Sequence, residues 1–157
     1  MTQPAKHDLQ KIGRLFQIAG TFDGGSPYGN GHSNVTYLVG FSSGGIATRL
    51  IFQRINHNVF KSPAVVMENI ERVTAHQRRK LEQAGASDIG RRALRLIPAL
   101  DGRGYAVDDE GNTWRVYNFI DRATSHDVAG NAQQPYEAAR AFGLFQRQLM
   151  DLPGGRL

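Results

Sequence analysis

The chain has 157 residues, 40% of them apolar and 21% charged, which is enough for one cored domain and too few for two ordinary ones. The absence of cysteine excludes disulfides, thiolate catalysis and Cys-ligated zinc, and fits a reducing compartment. No run of about 18 apolar residues can span a bilayer and Met1 to Gln10 is polar, so a cytoplasmic chain without a membrane partner is expected.

A net charge of +5 suits an anionic partner. The cations are scattered, however, and the densest cluster, Arg78-Arg79-Lys80, falls late in a predicted helix, where it favours the helix dipole. No basic stripe is interleaved with aromatics, so nucleic acid is not the expected partner.

In chain order, Leu9, Ile12, Leu15 and Phe16 fall at helical spacing, and Gly20 closes a short helix or docking segment over residues 1–27. Within it, Phe22-Asp23-Gly24-Gly25-Ser26-Pro27 has the chemistry of a turn. Strands are predicted from about Asn34 to Phe41 and Ile46 to Ile55, joined by Ser42-Ser43-Gly44-Gly45 as a hairpin. Ser62-Pro63 marks a helix start, with Val66, Ile70, Val73 and Leu81 as its apolar face and Gly85 as its stop. Three further strands follow, around Leu94 to Pro98, Gly104 to Asp108 and Thr113 to Ile120. A last helix runs from Pro135 to Leu149 with Ala138, Phe142, Phe145 and Leu149 on one side. The fold class is therefore α+β: an antiparallel sheet of about five strands with one long helix on a face, and a C-terminal helix after it.

The chemistry-bearing stretch is Tyr28 to Phe60. A polar glycine turn, Gly29-Asn30-Gly31-His32-Ser33-Asn34, leads into a strand, and Arg54 closes the next strand. A turn of this kind can lay backbone N–H groups and short polar side chains over phosphate oxygens while a strand aims a fixed cation at them. Arg54 is the expected cation, since a guanidinium grips two phosphate oxygens and keeps its charge. Glu68 is the first choice for its helix partner and Glu71 the second; three positions on a helix separate them by about 300°. Tyr117-Asn118-Phe119-Ile120 follows a strand and could lend backbone groups to a base, with Val39, Ile51 and Val116 as its apolar walls.

Together with Phe52-Gln53-Arg54-Ile55-Asn56, Val59-Phe60-Lys61-Ser62-Pro63, Val66-Met67-Glu68-Asn69-Ile70, Trp114 to Ile120, Phe142 to Gln146 and Asp151-Leu152-Pro153, the glycine turn and its strand resemble the aminoglycoside phosphotransferase/choline kinase family. The nearest likeness is to its N-acetylhexosamine 1-kinase-like branch, from about residue 13 onward. The resemblance implies the N-terminal lobe of a protein-kinase-like fold. It makes residues 28–122 a nucleotide-binding lobe, and residues 123–157 a linker and the first helix of a second lobe. It implies ATP and magnesium as cofactors and a small-molecule acceptor, an amino sugar by preference. Asn30, Gly31, His32, Ser33 and Asn34 would lie at the triphosphate, with Arg54 and Glu68 beside it. Tyr117, Asn118, Phe119 and Ile120 would form the hinge.

The catalytic half of that machinery is not found. His126-Asp127 with Asn131 has the wrong spacing for a His-x-Asp-x-x-x-x-Asn loop, and Asp109-Glu110-Gly111 is ordinary turn composition. The five histidines show no paired ligand spacing, so no catalytic or metal residue is assigned. The expectation is a kinase-family fragment, truncated product or half of a split enzyme, inactive alone. The alternative is a non-catalytic module that self-associates as a homodimer through the final helix, at Phe142 and Phe145.

Overall fold

The computed structural model describes residues 7–29, 33–124, 126 and 128–155. The chain forms two compact units, one from its beginning to Glu68 together with Arg95–Phe119, the other from Asn69–Leu94 and Ile120 onward. The class is α+β, with a five-stranded antiparallel sheet, a long helix and a C-terminal helix, the architecture of a kinase-like smaller lobe.

The first unit opens with a short helix α1 (Leu9–Gly13), capped by the Asp8 carboxylate on the Lys11 N–H. Strands β1 (Thr21–Pro27), β2 (Val35–Ser43) and β3 (Ile46–Arg54) follow. Two-residue β4 (Ala106–Val107) and β5 (Thr113–Asn118) complete the sheet in the order β1-β2-β3-β5-β4. The β2–β3 hairpin turns at Gly44 and Gly45, both at positive φ, the backbone a two-residue turn demands.

Two strand expectations are corrected. Phe22 to Pro27 is not a turn: β1 pairs along β2 from Thr21↔Ser42 to Pro27↔Tyr37. Its glycines serve the strand, because the register shifts between Phe22 and Gly24, where a bulge needs the φ of +131° that Gly24 adopts. Pro27 stands at the strand's end on the sheet edge, where a missing N–H costs little. The segment Leu94 to Pro98, by contrast, contributes only an isolated bridge, Leu96↔Tyr117. It flanks the end of β5 while β4 flanks the start, at Ala106↔Trp114 and Val107↔Thr113. Pro98 cannot extend that pairing. The number of strands is as expected, but their membership differs.

One sheet face packs against α1. Leu9, Ile12 and Phe16 join Tyr37, Val39, Phe41, Leu50, Phe52, Trp114 and Val116 in a single cluster. Phe52 stacks on Phe41 at 6.1 Å between ring centres and meets Phe16 at 6.3 Å, in the range of favourable aromatic pairs. Gly13 lets α1 sit this close, since a Cβ there would stand 3.0 Å from Phe41 Cζ.

In the second unit, helix α2 (Pro63–Gln83, its part from Asn69) and α4 (Gln133–Leu149) are tied by a buried histidine; the short α3 (Ile89–Arg92) lies between them in sequence. His76 Nδ1 accepts from Arg79 at 3.1 Å, so its proton sits on Nε2 and points to Gln148 O at 2.9 Å and Asp151 Oδ1 at 3.2 Å. Lys80 closes on the other Asp151 oxygen at 2.5 Å.

Asp108 pins the β4–β5 turn. It accepts from the Trp114 indole at 2.8 Å and from the backbone N–H groups of Asn112 at 2.8 Å and Glu110 at 3.0 Å. Burial raises its pKa, but the bonds from Trp114 and Asn112 outweigh that and leave it below the ordinary aspartate value of 3.8. A carboxyl depressed on folding stabilises the fold above its unfolded pKa, and that contribution is lost as pH falls through the depressed value. Emission of the single tryptophan should therefore shift only when pH falls below the ordinary aspartate value of 3.8. Asp108→Ala, which orphans the fully buried Trp114 N–H, should lower the unfolding free energy by about 2 kcal/mol in urea melts.

Candidate functional site

Side chains alternate across a strand, so β3 presents Leu50, Phe52 and Arg54 to the α1 face and Ile51 and Gln53 to the opposite face. The opposite face carries a polar row near the sheet's glycine-turn end. Gln53 faces Thr36 on β2 and Arg115 on β5 across the register. Its amide N–H donates to Thr36 Oγ1 at 2.8 Å, and its oxygen accepts from Arg115 Nε at 2.9 Å and Nη2 at 2.5 Å.

Arg115 is the unusual member. Its Nη1 meets only the Met67 sulfur at 4.0 Å, from the first turns of α2. Among the described residues no carboxylate pairs with it. Burial lowers its pKa from the ordinary arginine value, and the nearby Tyr117 offsets this in part. A guanidinium keeps its proton in proteins, so this is a permanent, half-buried cation whose remaining N–H donors point to no acid.

Aromatic rings continue the same face along β5. The Tyr117 ring centre lies 6.0 Å from the Arg115 guanidinium, and Phe119 lies 4.8 Å from that of Arg49. Tyr28, at the start of the glycine turn, meets Phe119 edge-on at 5.6 Å. Cation, amide, hydroxyl and aromatic rings on one sheet face can receive a flat, anionic ligand.

The residues singled out from sequence divide. Asn30, Gly31 and His32 lie outside the described residues. Ser33 is exposed, and Asn34 uses its side-chain oxygen to hold the Asn56 N–H at 2.9 Å, tying the ends of β2 and β3 together. Arg54 is on the α1 face. It pairs with Val35 and Trp114 across the sheet and donates to Asn112 Oδ1 at 3.3 Å. Glu68 is exposed, and no ion pair joins the two. The expected Arg54–Glu68 partnership is corrected by strand parity: one residue earlier or later in β3 would have been needed to reach the other face. Val39 and Val116 are likewise sealed in the α1-side core, while Ile51 lies on the site's face.

The hinge is also altered. The Asn118 N–H donates to Arg95 O at 3.1 Å and the Phe119 N–H to Arg49 O at 3.3 Å, so neither is offered to a base. The Asn118 side chain accepts from the Arg95 N–H at 2.7 Å. What Tyr117 and Phe119 offer is their rings. Ile120 belongs to the second unit.

Sequence reasoning missed Thr36, Gln53, Arg115 and Tyr28. A signal existed: Arg115 interrupts Trp114 and Val116 in a strand that otherwise reads as core. Among the described residues, no group of three or more His, Asp or Glu side chains is placed to hold a metal ion. No family model matches the chain.

A half-buried cation without a counter-charge costs stability, and replacing such groups with apolar ones often restores it. Gln53→Leu/Arg115→Met, which removes the guanidinium and its amide acceptor together, should raise the unfolding free energy by about 1 kcal/mol. Thermal or urea melts against the parent measure it.

Proposed function

We propose that this chain is the nucleotide-binding part of an ATP-dependent small-molecule phosphotransferase of the aminoglycoside phosphotransferase/choline kinase type, working in the cytoplasm. An amino sugar is the favoured acceptor. The observation that carries the reading is the uncompensated Arg115 guanidinium, aligned by Gln53 beside Thr36 on a face lined with Tyr117 and Phe119. The phosphate-facing cation is then Arg115 rather than Arg54, delivered from β5 across Gln53 instead of from β3 itself.

ATP fits what is present: N–H donors for phosphate oxygens and aromatic surface for the base. No group of three or more His, Asp or Glu side chains placed to hold magnesium occurs among the described residues, and no step is routed through the ion. The sequence also holds no His-x-Asp-x-x-x-x-Asn loop to accept a hydroxyl proton. These 157 residues are therefore expected to bind nucleotide without turning it over.

Calorimetric titration with ATP and with inorganic triphosphate tests the assignment. Arg115→Met should weaken both by roughly ten- to a hundredfold, the worth of a charge-assisted contact. Arg54→Met should leave both within about twofold, since its guanidinium is directed to the other face. Binding lost in Arg54→Met and kept in Arg115→Met would refute the assignment.

A second reading, self-association as a homodimer, has its own support. The 17-residue α4 has no buried residue, and Tyr136 and Phe142 are each 62% exposed. Phe142 also stacks on Phe145 at 6.4 Å, making one apolar patch. Sedimentation of the parent should give a dimer that Phe142→Asp converts to monomer. A parent that stays monomeric at high concentration removes this reading.

A further inference from the structure

The nucleotide face is partly covered by the chain itself. Tyr28 leaves the edge strand at Pro27, and its backbone N–H donates to Thr36 O at 2.9 Å, extending the β1–β2 ladder by one rung. Its ring then reaches across the sheet to Phe119, 5.6 Å away at 86° between planes. Phe119 follows β5, and its N–H is bonded to the carbonyl of Arg49, in the middle of β3 and away from the Arg54 end. The ring thus lies over the face between its own strand edge and Phe119, where a base stacked on Tyr117 and Phe119 would lie. The Tyr117 hydroxyl registers the same proximity: burial raises its pKa, Arg115 opposes, and Tyr28 raises it further.

We propose that Tyr28 is an aromatic cap on the base position, closed onto Phe119 in the free protein and displaced when a nucleotide binds. This rests on the nucleotide reading of the same face and adds its regulation. Gly29 follows at a φ of +77°, a conformation glycine takes without strain, so the ring has a permissive pivot beside it. The ring's aromatic contact is with Phe119 rather than with the cation. Arg115 is held by Gln53 and meets Met67, and no bond joins it to Tyr28. The cap therefore taxes the base and spares the phosphates. Its tax is the population arithmetic of a closed state: a ligand that needs the open form loses affinity by the open fraction.

Tyr28→Ala keeps the backbone bond to Thr36 and removes only the ring. If the aromatic contact is worth what such pairs usually are, ATP should bind roughly two- to tenfold tighter to the variant. Inorganic triphosphate, which has no base, should bind both proteins equally. With fluorotyrosine incorporated, the resonance that disappears in Tyr28→Phe should move on saturation with ATP and stay in place with triphosphate. ATP binding that is Arg115-dependent but equal or weaker in Tyr28→Ala overturns the cap and leaves the nucleotide reading intact. Equal tightening for ATP and triphosphate overturns it too, since the ring would then cover the cation. If neither protein binds ATP, the nucleotide reading fails and the cap with it.

Discussion

The period-two alternation of β3 and β5 governs everything else in the first unit. These are central strands, each with neighbours on both sides, so neither can slip by one residue without turning its core out and its polar row in. On one face Leu50, Phe52, Trp114 and Val116 are sealed beneath α1. On the other, Gln53 and Arg115 sit at directly paired positions. The core thereby dictates the register, and the register dictates that amide and guanidinium meet. Phe52 and Trp114 hold Arg115 in place without touching its charge.

The two arginines differ in burial and in partnership. Arg54 is near the strand end, half-exposed, and engaged with Asn112 of the turn that Asp108 organises. Arg115 is deeper, and its two bonds go to a neutral amide. A neutral acceptor fixes the direction of a guanidinium without cancelling its charge. For stability alone a carboxylate in place of Gln53 would serve better, because it would compensate the buried cation. An amide there leaves the field of the cation available to an outside anion, the arrangement expected where charge is kept for a ligand.

Much of this fold was legible in the sequence. The β2–β3 hairpin declares itself through Gly44-Gly45 between apolar alternations, and Pro63 opens α2 where expected. α4 begins only two residues before its predicted start, because the Asn131 side chain caps the N–H groups of Gln133 and Gln134. β1 was not legible because its evidence is tertiary: Gly24-Gly25 and Pro27 have turn propensities, and only the waiting edge of β2 makes them a strand. The site was half legible. Composition offers a cation beside a glycine turn, but it does not say which face a strand residue takes. Register does, and it is set by contacts between Phe52, Val39 and Trp114 that are remote in sequence.

The same parity separates what stability and binding ask of each strand. Odd-numbered positions in β3 and β5, Ile51, Gln53, Arg115 and Tyr117, line the candidate site, whereas the even-numbered Phe52, Trp114 and Val116 carry the core. In β2 the numbering reverses: Tyr37, Val39 and Phe41 are core, and Thr36 joins the site. The polar row can be substituted without unpacking the cluster beneath α1, because none of Thr36, Gln53 and Arg115 belongs to that cluster. That separation also explains why an uncompensated cation is tolerated. The sealed cluster beneath α1 supplies stability that does not depend on it.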